Sequence, residues 1–200
     1  DAAGLPVAEA AGYEADDVIG TIAAAAGPDE RLAVLTGDRD LFQVVRDPQV
    51  WVLYPLRGTS SLATMDAAGV AAKTGVRPER YVDLAILRGD PSDGLPGVAG
   101  VGEKTAAGLV ADHPDLDALL AAAQAGRLTP KLASTLAASA DYLDAMRKVV
   151  PVATDVDYRI SQRHPPDRER LAALAAAHAI EGPVDRMLAA MEQAGLADKA

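Results

Sequence analysis

Three acidic clusters, each beside a glycine, are the residues of this chain best suited to chemistry. They are Gly12-Tyr13-Glu14-Ala15-Asp16-Asp17, Thr36-Gly37-Asp38-Arg39-Asp40 and Gly89-Asp90-Pro91-Ser92-Asp93-Gly94. Carboxylates packed this closely repel one another unless something neutralises them. Hard divalent cations do so through oxygen ligands, and Mg²⁺ keeps much of its water while doing it. Three separated stretches that each deliver carboxylates point to a two-metal site, the arrangement that clamps the attacking and leaving oxygens of a phosphodiester. Taken singly, each cluster also has an ordinary reading. Glu14, Asp16 and Asp17 fit a helix start favoured by the dipole. Asp38 and Asp40 fit a turn after a strand, and Asp90 and Asp93 fit the shaping of a Pro/Gly loop.

A second signal is Gly97-Val98-Ala99-Gly100-Val101-Gly102-Glu103-Lys104-Thr105-Ala106. Glycines at this spacing let the backbone turn tightly and approach a ligand closely. A helix starting near Glu103 aims its free N–H groups at a phosphate, with Lys104 and Thr105 adding a cation and a hydroxyl. No apolar strand leads into Gly97, so neither the dinucleotide-binding context nor the P-loop spacing is met. The segment reads as a helix–hairpin–helix grip on a DNA backbone through Gly97, Gly100, Gly102, Lys104 and Thr105. An interhelical turn is the plain alternative. Of the other bases, Arg88, Lys131, Arg147 and Lys148 stand where phosphate contacts are conceivable. His113, His164 and His178 have no ligand spacing, and Trp51 and Tyr54 read as strand core.

The elements that must position these groups follow from pattern. Tyr13 to Ala26 reads as a helix stopped by Gly27-Pro28. Arg31 to Thr36 and Gln49 to Tyr54 read as strands, the first delivering Asp38 and Asp40 at its carboxyl end, where open α/β sheets bind ligands. Helices are expected over 66–73, 78–87, 103–111, 116–123, 129–149 (broken near Ser139), 166–179 and 182–194. Residues 89–102 are loop, and 152–160 extended. The expected organisation is an α/β part over 1–89, a helical region that carries the DNA-gripping segment over 90–150 and a helical extension over 151–200, with the first boundary near Arg88 to Asp90.

Composition sets limits. The chain has 200 residues, half of them hydrophobic, and no cysteine, which excludes disulfides and zinc–thiolate sites. Its net charge of −10 argues against broad non-specific DNA affinity. Seven of the 29 acidic residues lie in the three clusters, and the rest nearly balance the 19 Lys and Arg. Two bound divalent ions would offset much of the local charge. No apolar run is long enough to span a bilayer, and no signal peptide opens the chain.

GYEADDVIGT, TGDRDLFQVV and LRGDPSDGLPGVAGVGEKTA, in this order and spacing, closely resemble the bacterial 5′–3′ exonuclease and flap endonuclease family, across roughly Gly12 to Val149. The resemblance implies a PIN-like, mostly parallel sheet with flanking helices, followed by a helix–three-turn–helix element that holds duplex DNA. It implies that Glu14 and Asp16 bind a first metal and Asp38, Asp40 and Asp90 a second. Asp17 and Asp93 match the extra carboxylates of bacterial members. Mg²⁺ or Mn²⁺ would serve as the ions, and a K⁺ is often held by the hairpin carbonyls. Ala99 stands where many relatives have Pro. The implied substrate is DNA with a 5′ flap, nick or 5′ end, cut by a monomer in a bacterial cytoplasm, at the nucleoid. Family members carry a further strand and a basic arch ahead of these motifs, so the sequence resembles an N-terminally shortened member with impaired activity. Two other readings stay open: a non-catalytic, structure-specific DNA-binding module, and a PIN-like ribonuclease.

Overall fold

The computed structural model describes residues 2–58 and 60–196. In chain order it contains β1 (Ala8–Glu9), α1 (Ala15–Ala25), β2 (Leu32–Leu35), β3 (Val50–Pro55), β4 (Leu62–Met65), α2 (Ala67–Thr74) and α3 (Tyr81–Arg88). Then follow α4 (Glu103–Asp112), α5 (Leu116–Gln124), α6 (Pro130–Ala138), α7 (Ala140–Val149), β5 (Arg159–Ile160), α8 (Arg168–His178) and α9 (Glu181–Gln193). Short 3-10 turns occupy Asp40–Val44, Pro78–Arg80 and Pro91–Asp93. The chain divides into two compact units, one of residues up to Val18 with those from Val156 onward, the other spanning Ile19–Asp155.

The Ile19–Asp155 unit carries a three-stranded sheet in the order β2-β3-β4. β2 pairs parallel with β3, Leu32 opposite Val50 and Leu35 opposite Leu53. β3 pairs antiparallel with β4, Val52 opposite Met65. The sheet is therefore mixed. Its β4 edge was not expected, because LATM is too short to show a clear alternation. Val34, Val50 and Val52 are buried on one face, as the two-residue period of a strand requires. Against them pack Leu41 and Phe42 from the Asp40–Val44 turn, both fully buried. Burying this Leu-Phe pair pins the start of the turn, and so Asp40, to the core.

α3 is the central helix: Tyr81, Leu84, Ala85, Ile86 and Leu87 are all buried. A helix apolar on most of its circumference belongs inside a domain. Phe42 meets the Tyr81 ring edge-on at 5.7 Å and Tyr54 at 5.4 Å. Local chemistry sets the helix limits. Asp66 caps α2 by accepting from the Gly69 amide at 2.7 Å, and Asp115 caps α5 through the Ala118 amide at 2.7 Å. Arg46 donates to the carbonyls of Ala23 and Ala26 at 3.0 Å each, satisfying the C-terminal end of α1. Ser139 breaks α6 from α7, as expected from sequence.

In the other unit, β1 and β5 form a two-stranded antiparallel ladder, and α8 and α9 contribute buried Leu171, Ala175 and Met191. Of the extended stretch expected over 152–160, only Arg159–Ile160 is strand. No helix among the described residues is long and apolar enough to cross a membrane.

Candidate metal centre

Asp40 is the first residue of the turn that follows β2, and Asp90 and Asp93 lie in the loop that follows α3. Tertiary folding brings these three together: one carboxylate oxygen from each lies within 4.8 Å of the others. The Asp90 loop is closed on itself. The Asp90 amide donates to the Leu95 carbonyl at 2.9 Å, and the Leu95 amide donates back at 2.8 Å. Within it, Asp90 Oδ1 accepts from the Ser92 amide at 2.9 Å and from the Ser92 hydroxyl. Arg88 reaches Asp90 Oδ2 at 3.4 Å, and the Tyr81 hydroxyl lies 3.5 Å from Asp40 Oδ1.

The carboxylates differ sharply in electrostatics. The Asp40 carboxyl is pushed up to about 6, first by burial and then by the charges of Asp38 and Asp90, with Arg88 opposing. Asp90 moves the other way, held down chiefly by the Ser92 hydroxyl, with Arg88 assisting. Tyr81 rises to about 12, mostly through burial, with Arg88 opposing and Asp40 adding to the rise. Asp40 thus carries charge that its own surroundings do not neutralise. An all-oxygen donor set of this span, with one member under such strain, fits a hard divalent cation.

Asp38 stands at the edge of this group. It is exposed, and its Oδ1 accepts the Asp40 amide at 2.9 Å, while its own amide donates to Thr36 Oγ1 at 2.9 Å. These two bonds shape the turn that aims Asp40. Glu14, Asp16 and Asp17 belong to the other compact unit. There, Asp17 Oδ2 accepts the Glu14 amide at 3.2 Å, the return bond of a capping box at the start of α1. Glu14 is exposed and Asp16 half-buried.

The glycine-rich segment is a hairpin fastened to the Asp90 loop. Val98 and Val101 are buried, while Ala99, Gly100, Gly102, Lys104 and Thr105 are exposed. Gly100 has a φ of +77°, and the Val101 amide closes the turn onto the Val98 carbonyl at 2.9 Å. Gly102 caps α4 without a side-chain bond, which leaves its first amides to other acceptors. Gly97 has a φ of +68°, and a Cβ on it would come 2.3 Å from the Arg88 carbonyl oxygen. Its amide donates to the Tyr142 hydroxyl at 3.1 Å, and that hydroxyl donates to the Ile86 carbonyl at 3.1 Å. Gly97 therefore sits in a seam behind the hairpin.

Sequence reasoning did not find Tyr81 or Tyr142 as neighbours of the site. Each touches it across more than 40 residues of chain, a distance over which periodicity carries no signal. Among the bases, Arg88 is engaged with Asp90 and Arg147 with Asp117 at 2.6 Å. His113 Nδ1 meets the Leu109 carbonyl at 2.9 Å, a structural contact.

The raised Asp40 pKa carries a stability consequence. The folded chain holds this proton up to about pH 6, whereas the ordinary value is 3.8. The folded state thus binds more protons between those values, and stability falls as pH rises through them. The gap corresponds to at most about 3 kcal/mol, reduced to about 1 kcal/mol because water still reaches the group. We expect Asp40→Asn to raise the melting temperature of the chelator-treated protein more at pH 7 than at pH 4.5, because only at the higher pH does the wild type carry the disfavoured charge. An equal shift at the two pH values would contradict the assignment.

Comparison with known proteins gives three findings. Residues 1–75 match the family profile described as 5′–3′ exonuclease, N-terminal resolvase-like domain, and residues 76–169 match 5′–3′ exonuclease, C-terminal SAM fold. The chain is 48% identical over 196 residues to a 5′–3′ exonuclease of Streptomyces coelicolor, covering 94% of this chain and 64% of that protein. It is 44% identical over 206 residues to a 5′–3′ exonuclease of Mycobacterium tuberculosis, covering 96% and 64%. The chain thus spans under two thirds of these relatives' length. In fold it resembles a bacteriophage T5 flap endonuclease solved with DNA and metal ions, at a TM-score of 0.57, 16% identity, and coverage of 91% of this chain and 60% of that one.

Proposed function

This chain belongs to the 5′–3′ exonuclease family, and on that premise we propose that it is part of a divalent-metal-dependent 5′ nuclease that hydrolyses DNA phosphodiesters in replication and repair. The observation that carries the reading is the convergence of Asp40, Asp90 and Asp93, beside a loop continuous with the exposed hairpin. A 5′ flap, nick or free 5′ end is the proposed substrate feature, and a monomer in the bacterial cytoplasm, at the nucleoid, the proposed working form.

Asp40, Asp90 and Asp93 are proposed to hold one Mg²⁺ or Mn²⁺, with Asp38 shaping the turn and available to it. Glu14 and Asp16 are proposed as ligands of a further ion, with Asp17 supporting the helix start that presents them. A divalent ion at such a site lowers the pKa of coordinated water and screens charge developing on a phosphate oxygen. Arg88 restrains Asp90, and Ser92 keeps that carboxylate ionised. Gly100, Gly102, Lys104 and Thr105 are proposed to contact the DNA backbone, with Gly97 shaping the hairpin and a K⁺ bound by its carbonyls. Backbone contact of this kind holds a duplex without reading its sequence. The residues divide accordingly into a metal-bearing part over 1–89, a DNA-holding part over 90–150 and a helical extension over 151–200.

The test is cleavage of a 5′-flap DNA against a single-stranded RNA of the same sequence, with Mg²⁺. We expect cleavage, however slow, to be confined to the DNA and the RNA to be spared. Preference for the RNA would favour a ribonuclease, and binding without cutting a DNA-binding module. A separate expectation concerns Lys104. Lys104→Ala should weaken binding to several unrelated duplexes alike, and should flatten the salt dependence of log K by about one contact's worth. Fluorescence anisotropy across salt concentrations measures this, and a loss confined to one sequence would speak against a backbone grip.

A further inference from the structure

The seam described above ties the hairpin to the Asp90 loop. A separate contact ties it to the turn that carries Asp38 and Asp40. Arg39, between those two aspartates, donates from its guanidinium to Glu103 Oε1 at 2.5 Å, across 64 residues of chain. Glu103 is the first residue of α4 and the immediate neighbour of Lys104. The pair is partly shielded, with side chains 30% and 42% exposed, so water weakens it less than an open surface bridge.

Both partners sit where geometry matters. Arg39 is the residue from which the Asp40–Val44 turn springs, its carbonyl accepting the Phe42 amide at 2.9 Å. Glu103 lies in the first turn of α4, whose dipole favours it. Left unneutralised, however, its carboxylate would repel a phosphate arriving at the same helix end. Arg39 cancels that charge and at the same time fixes how far the Asp38–Asp40 turn stands from the hairpin.

Building on the nuclease reading, we propose that Arg39 and Glu103 form a positioning pair. It holds the carboxylate turn in register with the DNA hairpin, so that Asp40 meets Asp90 and Asp93 and the gripped backbone faces that group. Two fastenings then converge on the hairpin, the Gly97 seam from the Asp90 side and this ion pair from the Asp40 side. Neither partner is a metal ligand. Arg39 acts through Asp40, and Glu103 through α4.

The test is Mn²⁺ calorimetry on wild type, Arg39→Ala, Glu103→Ala, the double variant and Arg39→Lys, with duplex binding measured in chelator. We expect each single alanine to weaken Mn²⁺ binding by about 3- to 10-fold. The double variant should be no worse than the weaker single one, because both remove the same interaction. Arg39→Lys should recover most of the loss by keeping the charge. Without metal, Arg39→Ala should weaken duplex binding, whereas Glu103→Ala should not, since it also removes the repelling carboxylate. A purely stabilising bridge would lower the melting temperature without moving Mn²⁺ affinity, and that result would overturn the proposal. So would losses that simply add in the double variant. If wild type gives no Mn²⁺ heat that Asp40→Asn abolishes, the nuclease reading itself fails and the pair's role with it. Normal wild-type binding with unaffected single variants would sink the pair alone.

Discussion

Asp40→Asn is expected to lower 5′-flap cleavage by at least about 100-fold, while leaving the folded chain as stable as the wild type or more so. The activity loss follows from placement, since a misfit of about 1 Å in such a site costs on the order of 100-fold in rate. Asn keeps the volume beside Tyr81 and retains one oxygen, but it removes the charge most crowded by its neighbours. The stability gain follows from the same crowding: the folded state disfavours the ionised carboxyl, and the amide has no charge to disfavour. Opposite signs for activity and stability mark a group kept for chemistry rather than for folding. Single-turnover cleavage in Mg²⁺ and thermal melting in chelator measure the two effects on one preparation. Cleavage within a few-fold of wild type would remove Asp40 from the centre, whatever the melting curve shows.

Gly97→Ala is expected to destabilise the Ile19–Asp155 unit by about 2–4 kcal/mol, whereas Gly100→Ala costs about 1 kcal/mol. Both glycines have positive φ, +68° and +77°, so both substitutions carry the left-handed backbone penalty. What separates them is space. A Cβ on Gly97 meets the Arg88 carbonyl oxygen at 2.3 Å and the Gly89 amide nitrogen at 2.7 Å, while nothing lies within 4 Å of one on Gly100. The Gly97 clash is with the Arg88–Gly89 peptide group, backbone that cannot swing aside as a side chain can. Relief would require opening the seam and moving the Asp90 loop, so Mn²⁺ affinity should fall along with stability. Gly100→Ala should instead affect duplex binding more than Mn²⁺ binding, since Gly100 lies on the exposed tip. Urea unfolding of the two variants decides the matter, and equal losses would show that the seam has room to relax.

The local setting of the candidate site was readable before any fold was known. The three acidic clusters are local in sequence, and each falls at an element end where pattern placed it: α1 starts at Ala15, β2 ends at Leu35 and α3 ends at Arg88. The hairpin was readable for the same reason, since its glycines and valines lie within one short stretch. Less legible were elements too short for their period to emerge, namely β1, β4 and the 3-10 turn from Asp40 to Val44. Phe42 is apolar by type but is not legible as the anchor of Asp40, because it packs on Tyr54 and Tyr81 from elsewhere in the chain.

By itself, the sequence determined which residues carry charge, where the backbone must turn, and that acidic clusters and a glycine-rich hairpin share one chain. Those properties are intrinsic to residue type and near-neighbour spacing. Only the tertiary structure decided which carboxylates meet. It drew one carboxylate oxygen from each of Asp40, Asp90 and Asp93 within 4.8 Å of the others and left Asp38 to shape the turn. It also divided the electrostatics, raising Asp40 and lowering Asp90 within one cluster, because burial and hydrogen-bond donors come from residues distant in sequence. The Arg39–Glu103 pair and the Tyr142 bridge belong to the same class. Such contacts depend on how the sheet and helices pack, and packing is a property of the whole fold that no local stretch of sequence encodes alone.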